Sequence, residues 1–154
     1  MDYVEILEKV GLIILLSGVI GLDREMRHKP AGIKTHMLVG MGSTIFMLVS
    51  IYIYLKYKGT TDPGRIAAQV VTGIGFLGAG TIIQSGGSVV GLTTAASLWA
   101  VAGIGLAVGC GMYGLSIIVT AAILFVFILI NKISQLVGTQ IENIKEINTK
   151  IKRK

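Results

Sequence analysis

From Ile66 the chain reads IAAQVVTGIGFLGAG to Gly80 and TIIQSGGSVVGLTTAASLWAVAGIGLAVGCGMYGLSIIVTAAILFVFILIN to Asn131, without one Asp, Glu, Lys, Arg or His. A helix needs about 20 apolar residues to cross the hydrocarbon core of a bilayer, so this stretch holds about three crossings. A soluble domain carries about a quarter charged residues spread over its surface. Here 14% of 154 residues are charged, 53% are hydrophobic, and every charge lies outside this stretch. The apolar runs are continuous, whereas the strands of a membrane barrel would alternate apolar and polar residues. The fold class is therefore all-α, a polytopic bundle of transmembrane helices, and a soluble enzyme is excluded.

Two further apolar runs precede the stretch, which gives five expected spans. They are Val4 to Leu22, Ile33 to Leu55, Ile66 to Ile83, Leu92 to Met112 and Leu115 to Ile130. Asp62-Pro63 reads as an N-cap followed by proline at the first helical position. Gly86-Gly87 with Gly91, and Gly109 with Gly111 and Gly114, mark tight uncharged connections. Residues 1–131 form the transmembrane domain and 132–154 a basic amphipathic tail. In the tail Ile130, Val137, Ile144 and Ile151 recur every seven residues, with Ile133, Gln140 and Ile147 between them. That spacing suits a short coiled coil, or equally an amphipathic helix lying on an anionic leaflet. The first run is not expected to be a cleaved signal, because its leader (Asp2, Glu5, Glu8, Lys9) is net acidic and no A-x-A-like site follows. Cys110 is alone, which excludes an internal disulfide or a thiolate metal cluster.

The net charge of +6 is placed as a membrane protein places it. Arg24, Arg27, Lys29 and Lys34 surround the first connection, and Lys132, Lys145, Lys150, Lys152, Arg153 and Lys154 fill the tail. Five spans put both on one side, and the excess of basic residues makes that side the cytoplasm, with the amino terminus outside. Nucleic acid is not expected as a partner, since the basic residues lack the interleaved aromatics of a single-strand surface. Membrane lipids are.

Several motifs bear on chemistry. Gly73-Ile-Gly75-Phe-Leu-Gly78 fits the dinucleotide pattern, but that pattern needs a preceding strand and an acid about 20 residues later. No acid occurs between Asp62 and Glu142, so the match is a decoy. Asp23-Arg24-Glu25-Met26-Arg27-His28-Lys29-Pro30 is the polar cluster at the end of the first span. In a helix Asp23 pairs with Arg27, and Arg24 lies beside His28. Its two carboxylates suit Mg²⁺, which often takes only one or two plus waters. Its Arg and Lys residues suit an anionic headgroup or phosphate instead, and a border cluster of mutually paired charges needs no ligand at all. No other cofactor is expected. His28 and His36 are not at metal-ligand spacing. Thr93, Thr94, Ser97 and Gln69 are polar groups inside spans, of the kind that usually bonds helix to helix.

These residues carry a resemblance. Gly21-Leu-Asp23-Arg24-Glu25, Lys29-Pro-Ala-Gly-Ile-Lys-Thr35-His36-Met-Leu-Val39, Asp62-Pro-Gly-Arg65-Ile-Ala-Ala-Gln69-Val70, Gly73-Ile-Gly75-Phe-Leu-Gly78-Ala-Gly80 and Gly91-Leu-Thr93-Thr94-Ala-Ala-Ser-Leu-Trp99 resemble, in order, the membrane domain of the MgtC/SapB family. The resemblance implies a bacterial inner-membrane protein tied to magnesium limitation and, in pathogens, to survival inside phagocytes. It implies action on other membrane machinery, including the proton-driven ATP synthase, more than transport of Mg²⁺. It also points to Asp23, Arg24, Glu25, Lys29, His36, Asp62, Arg65, Gln69, Thr93, Thr94 and Trp99 as the residues that contact a ligand or partner. Asp23 stands where the family usually has Glu. Many members carry an ACT-like cytoplasmic domain after the last span, where this chain has its short basic tail.

The glycines set the helix contacts. Ala68, Thr72, Gly75 and Ala79 fall on one stripe of the third span, with Gly78 beside it; Gly105 and Gly109, and Gly103, Ala107 and Gly111, do so on the fourth. Small residues let helices approach closely, which in lipid replaces the hydrophobic drive. Such stripes pack the bundle or join two copies. A homodimer is expected, with Gly105 and Gly109 in its contact. The function expected is non-catalytic regulation in the membrane. A transporter or channel for Mg²⁺ or another ion is the alternative, although the last three spans have no ionisable group to mark an ion path.

Overall fold

The structure is a computed structural model that describes residues 2–152, with side chains described for residues 2–84 and 86–133. Five helices follow in order: α1 (Tyr3–Met26), α2 (Ile33–Lys56), α3 (Gly64–Ala79), α4 (Leu92–Gly109) and α5 (Tyr113–Lys152). The chain forms two compact units, Met1–Thr120 and Ala121–Lys154. The second is a continuation of α5, in which the Asn131 amide donates to the Phe127 carbonyl (2.5 Å). The heptad expected from Val137 onward rests on side chains outside the described residues.

Within the first unit α2 is the central helix, packed on α1, α3 and α4. Direction follows from which residues meet. His36 meets Ser97 and Thr44 meets Gly105, each pair 61 residues apart, so α2 and α4 run parallel. Contacts of Gly21 with Ile33, Gly18 with Met37 and Gly40 with Ile13 run in opposite order, so α1 is antiparallel to α2. Glycine makes these approaches possible. A Cβ on Gly21 would sit 2.6 Å from the Ile33 Cα, one on Gly105 2.4 Å from the Gly40 carbonyl oxygen, and one on Gly109 2.6 Å from the Met47 Cβ. Ile13, Ile20, Leu98, Val101 and Val108 fill the space between these layers. Buried hydroxyls turn inward to carbonyls, as membrane interiors demand. Thr44 Oγ1 lies 3.0 Å from its own helix's Gly40 carbonyl and 2.9 Å from that of Gly105.

Four details differ from the sequence reading. The third span ends at Ala79, not Ile83, because Ile83–Ser85 and Ser88–Val90 pair as an antiparallel hairpin (β1, β2). Its two-residue turn has positive φ at both Gly86 and Gly87, which matches the twist of the strands. The assigned N-cap of α3 is Pro63, yet Asp62 still caps: its carboxylate accepts the Gly64 N–H at 2.7 Å. His28 has left the helix, with φ of 52°, and does not lie beside Arg24 along α1. Finally Gly105 and Gly109, expected in a dimer contact, are covered by α2 of the same chain, whereas Gly75, expected in packing, has nothing within 4 Å of its Cβ position. Gly78 is in ordinary contact with the Ala95 Cβ at 3.4 Å.

By length and composition α2, α4 and Tyr113–Ile133 of α5 can each cross a membrane. The other two helices fall short for separate reasons. At 16 residues α3 is about 24 Å long. The 24 residues of α1 are long enough but carry Glu5, Glu8 and Lys9. Lys9 is nevertheless buried, with its ammonium 2.7 Å from Glu5 and 3.1 Å from the Gly109 carbonyl.

Candidate functional site

The end of α1, the start of α2 and the start of α4 converge on one polar site. Arg24 leaves the last turn of α1, is 5% exposed, and donates from Nη2 to Thr94 Oγ1 at 2.6 Å. His36 is wholly buried on the first turn of α2. Its Nδ1 lies 2.9 Å from the Gly32 carbonyl and its Nε2 3.0 Å from Ser97 Oγ. Ser97 also lies 2.8 Å from the Thr94 carbonyl, which closes the chain Arg24–Thr94–Ser97–His36 across three helices. A carbonyl only accepts, so Nδ1 of His36 carries a proton. In the neutral ring Nε2 then accepts, and the single Ser97 proton is shared between His36 and the Thr94 carbonyl.

Two carboxylates flank this chain and do different work. Asp23 Oδ1 accepts from Arg27 Nε at 2.8 Å, the expected pair one turn apart. Its other oxygen is buried and has no hydrogen-bond partner among the described residues. Glu25 reaches across to the next helix, where Oε2 accepts the Ile33 N–H at 2.8 Å. That caps α2, whose own N-cap residue Gly32 has no side chain to do so. A Cβ on Gly32 would stand 2.5 Å from the Glu25 carboxylate oxygen, so a larger residue there would push the Glu25 side chain off its cap. The first two sequence motifs are thus two halves of one interlock. Gly91 starts α4, which carries Thr94 and Ser97: its φ is 98°, and a Cβ would fall 1.8 Å from the Thr81 carbonyl oxygen.

Of the residues singled out in the sequence, Asp23, Arg24, Glu25, His36 and Thr94 meet here. Lys29 is exposed on the α1–α2 connection, and Thr93 faces outward one residue before Thr94. Trp99 is 57% exposed on the outer side of α4. Asp62, Arg65 and Gln69 lie elsewhere: α3 starts beside Ser50, whose hydroxyl donates to the Pro63 carbonyl, at the end of α2 remote from His36. Arg65 is exposed and makes no ion pair with Asp62 or any other described residue. Ser97 was seen in the sequence only as a hydroxyl; its place one turn after Thr94 was the available signal. Lys9 was missed, since nothing near it in sequence announces the Gly109 carbonyl. Among the described residues no three His, Cys, Asp or Glu side chains group as metal ligands.

An apolar helical unit held at one end by a buried arginine, two hydroxyls and a histidine defines a polytopic α-helical membrane protein. The chain belongs to the MgtC family, whose profile matches residues 11–136. It is 48% identical over 131 residues to YhiD of Escherichia coli (strain K12), covering 80% of this chain and 60% of that protein. It is 44% identical over 114 residues to the protein SapB of Bacillus subtilis (strain 168), covering 71% and 49%. To MgtC of Brucella abortus (strain 2308) it is 40% identical over 126 residues, covering 82% and 51%. The chain therefore spans about half to three-fifths of the length of these relatives. No solved structure matches it.

Proposed function

We propose that this chain is the membrane module of a regulator of magnesium homeostasis in a bacterial inner membrane, acting without catalysis on other membrane proteins. The magnesium link comes from its relatives: YhiD of E. coli K12 bears the name of a candidate magnesium transporter. The mode of action rests on one observation. The buried polar site is centred on a cation, Arg24, whose guanidinium is engaged by the neighbouring helix. A fixed positive charge repels Mg²⁺, and the same bonds fix how α1, α2 and α4 meet. Such a cross-helix polar lock suits a protein whose output is its own shape, read by a neighbour such as the proton-driven ATP synthase. The carboxyl-terminal lysines are assigned to the cytoplasm by the excess of basic residues around Arg24 and in the tail. Self-association, if it completes the unit, uses outward faces such as the Ala68–Gly75 stripe, because Gly105 and Gly109 are occupied.

The second reading, Mg²⁺ transport, has one observation in its favour: the unpartnered buried oxygen of Asp23. Flux into proteoliposomes separates the two. Wild-type protein should give no Mg²⁺ entry above protein-free liposomes. Entry that Asp23→Asn abolishes would establish transport instead.

A further inference from the structure

A groove of about 560 Å³ runs between α2 and α3, on a face of α2 that the polar site does not use. Its walls extend from Thr35 to Phe46 on α2 and from Ile66 to Leu77 on α3. Eleven residues of helix make it about 16 Å long, close to the thickness of one leaflet's hydrocarbon, about 15 Å. The groove exists because side chains are missing: Gly42 and Gly73 both line it, and neither has a heavy atom within 4 Å of its Cβ position. Its walls are otherwise apolar apart from Thr35 at one mouth, Ser43 and Gln69. Ser43 already donates to the Val39 carbonyl at 2.9 Å. The Gln69 amide is exposed to the groove and makes no hydrogen bond among the described residues, although the helix around it is apolar. An amide at that depth costs free energy unless something answers it.

Arg65 lies one turn before Gln69, and residues four apart share a helix face. It is exposed, and no carboxylate among the described residues pairs with it. Asp62, the nearest acid in sequence, is engaged by the Gly64 N–H. Around the α2–α3 connection Lys56, Lys58 and Arg65 outnumber the single acid Asp62, although the acids of α1 balance this end of the bundle as a whole. Along one stripe of α3 the order is thus a guanidinium (Arg65), an amide (Gln69), a bare backbone (Gly73) and an apolar wall (Leu77). That is the order of groups in a phospholipid from phosphate through ester carbonyls to acyl chain.

We propose that the α2–α3 groove is a binding site for an anionic phospholipid, with the phosphate at Arg65, the glycerol ester at Gln69 and one acyl chain along Gly73 to Leu77. An apolar helix of a partner would fill the groove but leave Arg65 and Gln69 unanswered. The lipid answers both, and the local excess of cations around Arg65 favours a net negative headgroup. The site accounts for two residues of the Asp62–Val70 motif that the polar site does not use.

Native mass spectrometry of the full chain in detergent tests this, with dioleoyl phosphatidylglycerol and dioleoylglycerol as probes. They share acyl chains, and only the first has a phosphate. The wild type should retain one phosphatidylglycerol at least roughly tenfold more tightly than the diacylglycerol, as one charge-assisted contact gives. Arg65→Gln should remove that preference and leave diacylglycerol binding unchanged. Gly73→Leu and Gly42→Leu, each at a position where a Cβ meets no atom within 4 Å, fill the groove and should each abolish binding of both. Gly11→Leu, on an open face of α1 that does not line this groove, should change nothing. Circular dichroism identifies any variant that has lost its helices, and the second groove-filling variant then decides. Phosphatidylglycerol binding that survives Arg65→Gln at full strength, or survives a folded groove-filling variant, overturns the proposal. So does a groove-dependent adduct with the mass of a second chain.

Discussion

At the scale of the residue the polar site is a matter of who donates and who accepts. Arg24 donates to Thr94 in a buried setting, and a hydrogen bond to a charged group contributes about 1.5–3 kcal/mol. Thr94→Val keeps the shape and deletes the acceptor, so it should destabilise the folded protein by about that amount, while Thr94→Ser should cost much less. A double-mutant cycle with Arg24→Gln, read by unfolding in mixed micelles, should show coupling above about 0.5 kcal/mol. Strict additivity would mean that the two side chains do not work together. His36 permits a second test at this scale. Its Nδ1 faces a carbonyl, so the neutral ring is bound to be the Nδ1-protonated tautomer. Nitrogen-15 spectra of labelled protein should report that tautomer, and Ser97→Ala should shift the Nε2 resonance most. An Nε2-protonated ring would contradict the geometry.

At the scale of the element, the helices were legible because their apolar runs are long, and the details were lost where local chemistry overrides length. The ends of α2 and α4 fall within a few residues of where the hydropathy puts them. By contrast α3 stops four residues early, since the Gly86-Gly87 turn draws Ile83 into a strand pair that an uninterrupted apolar run conceals. The stripes of small residues showed which faces allow close approach but not what approaches them, because a glycine looks the same whether its neighbour is its own chain or another. The site divides likewise. The Asp23–Arg27 pair follows from spacing alone, whereas Arg24 to Thr94 joins residues 70 apart that no periodicity connects. One consequence is measurable. Gly105→Leu drives a side chain into the Gly40 backbone, so it should cost well over the 1–3 kcal/mol of ordinary overpacking. Gly75→Leu, with open space around it, should leave the fold intact. Monodispersity on size exclusion and helicity by circular dichroism should separate the two. If both variants behaved as wild type, the α2–α4 contact would be wrong.

At the scale of the whole molecule the helices define two ends with unlike charge. One has Arg24, Arg27, Lys29 and Lys34 against Asp23 and Glu25. The other has Lys9, Lys56, Lys58 and Arg65 against Asp2, Glu5, Glu8 and Asp62. The first is net positive and the second balanced, so the positive-inside rule favours the proposed orientation with the Arg24 end toward the cytoplasm. The parallel course of α2 and α4 bears on the crossings instead, because parallel neighbours require the chain between them, which contains α3, to return along the unit. The shortness of α3 is no obstacle where neighbouring helices cover its ends. Lys9 is equally tolerable at the border of α1, because its charge meets Glu5 and the Gly109 carbonyl instead of lipid. The proposed orientation has α3 cross beside α4 and α5, which makes three crossings between Lys58 and Lys132 and expects these two residues on opposite sides. Reporter fusions after Lys132 should therefore give a cytoplasmic signal and fusions after Lys58 an external one. A cytoplasmic signal at both sites would make the number of crossings between them even, and would mean that α3 or α4 dips into the bilayer without traversing it.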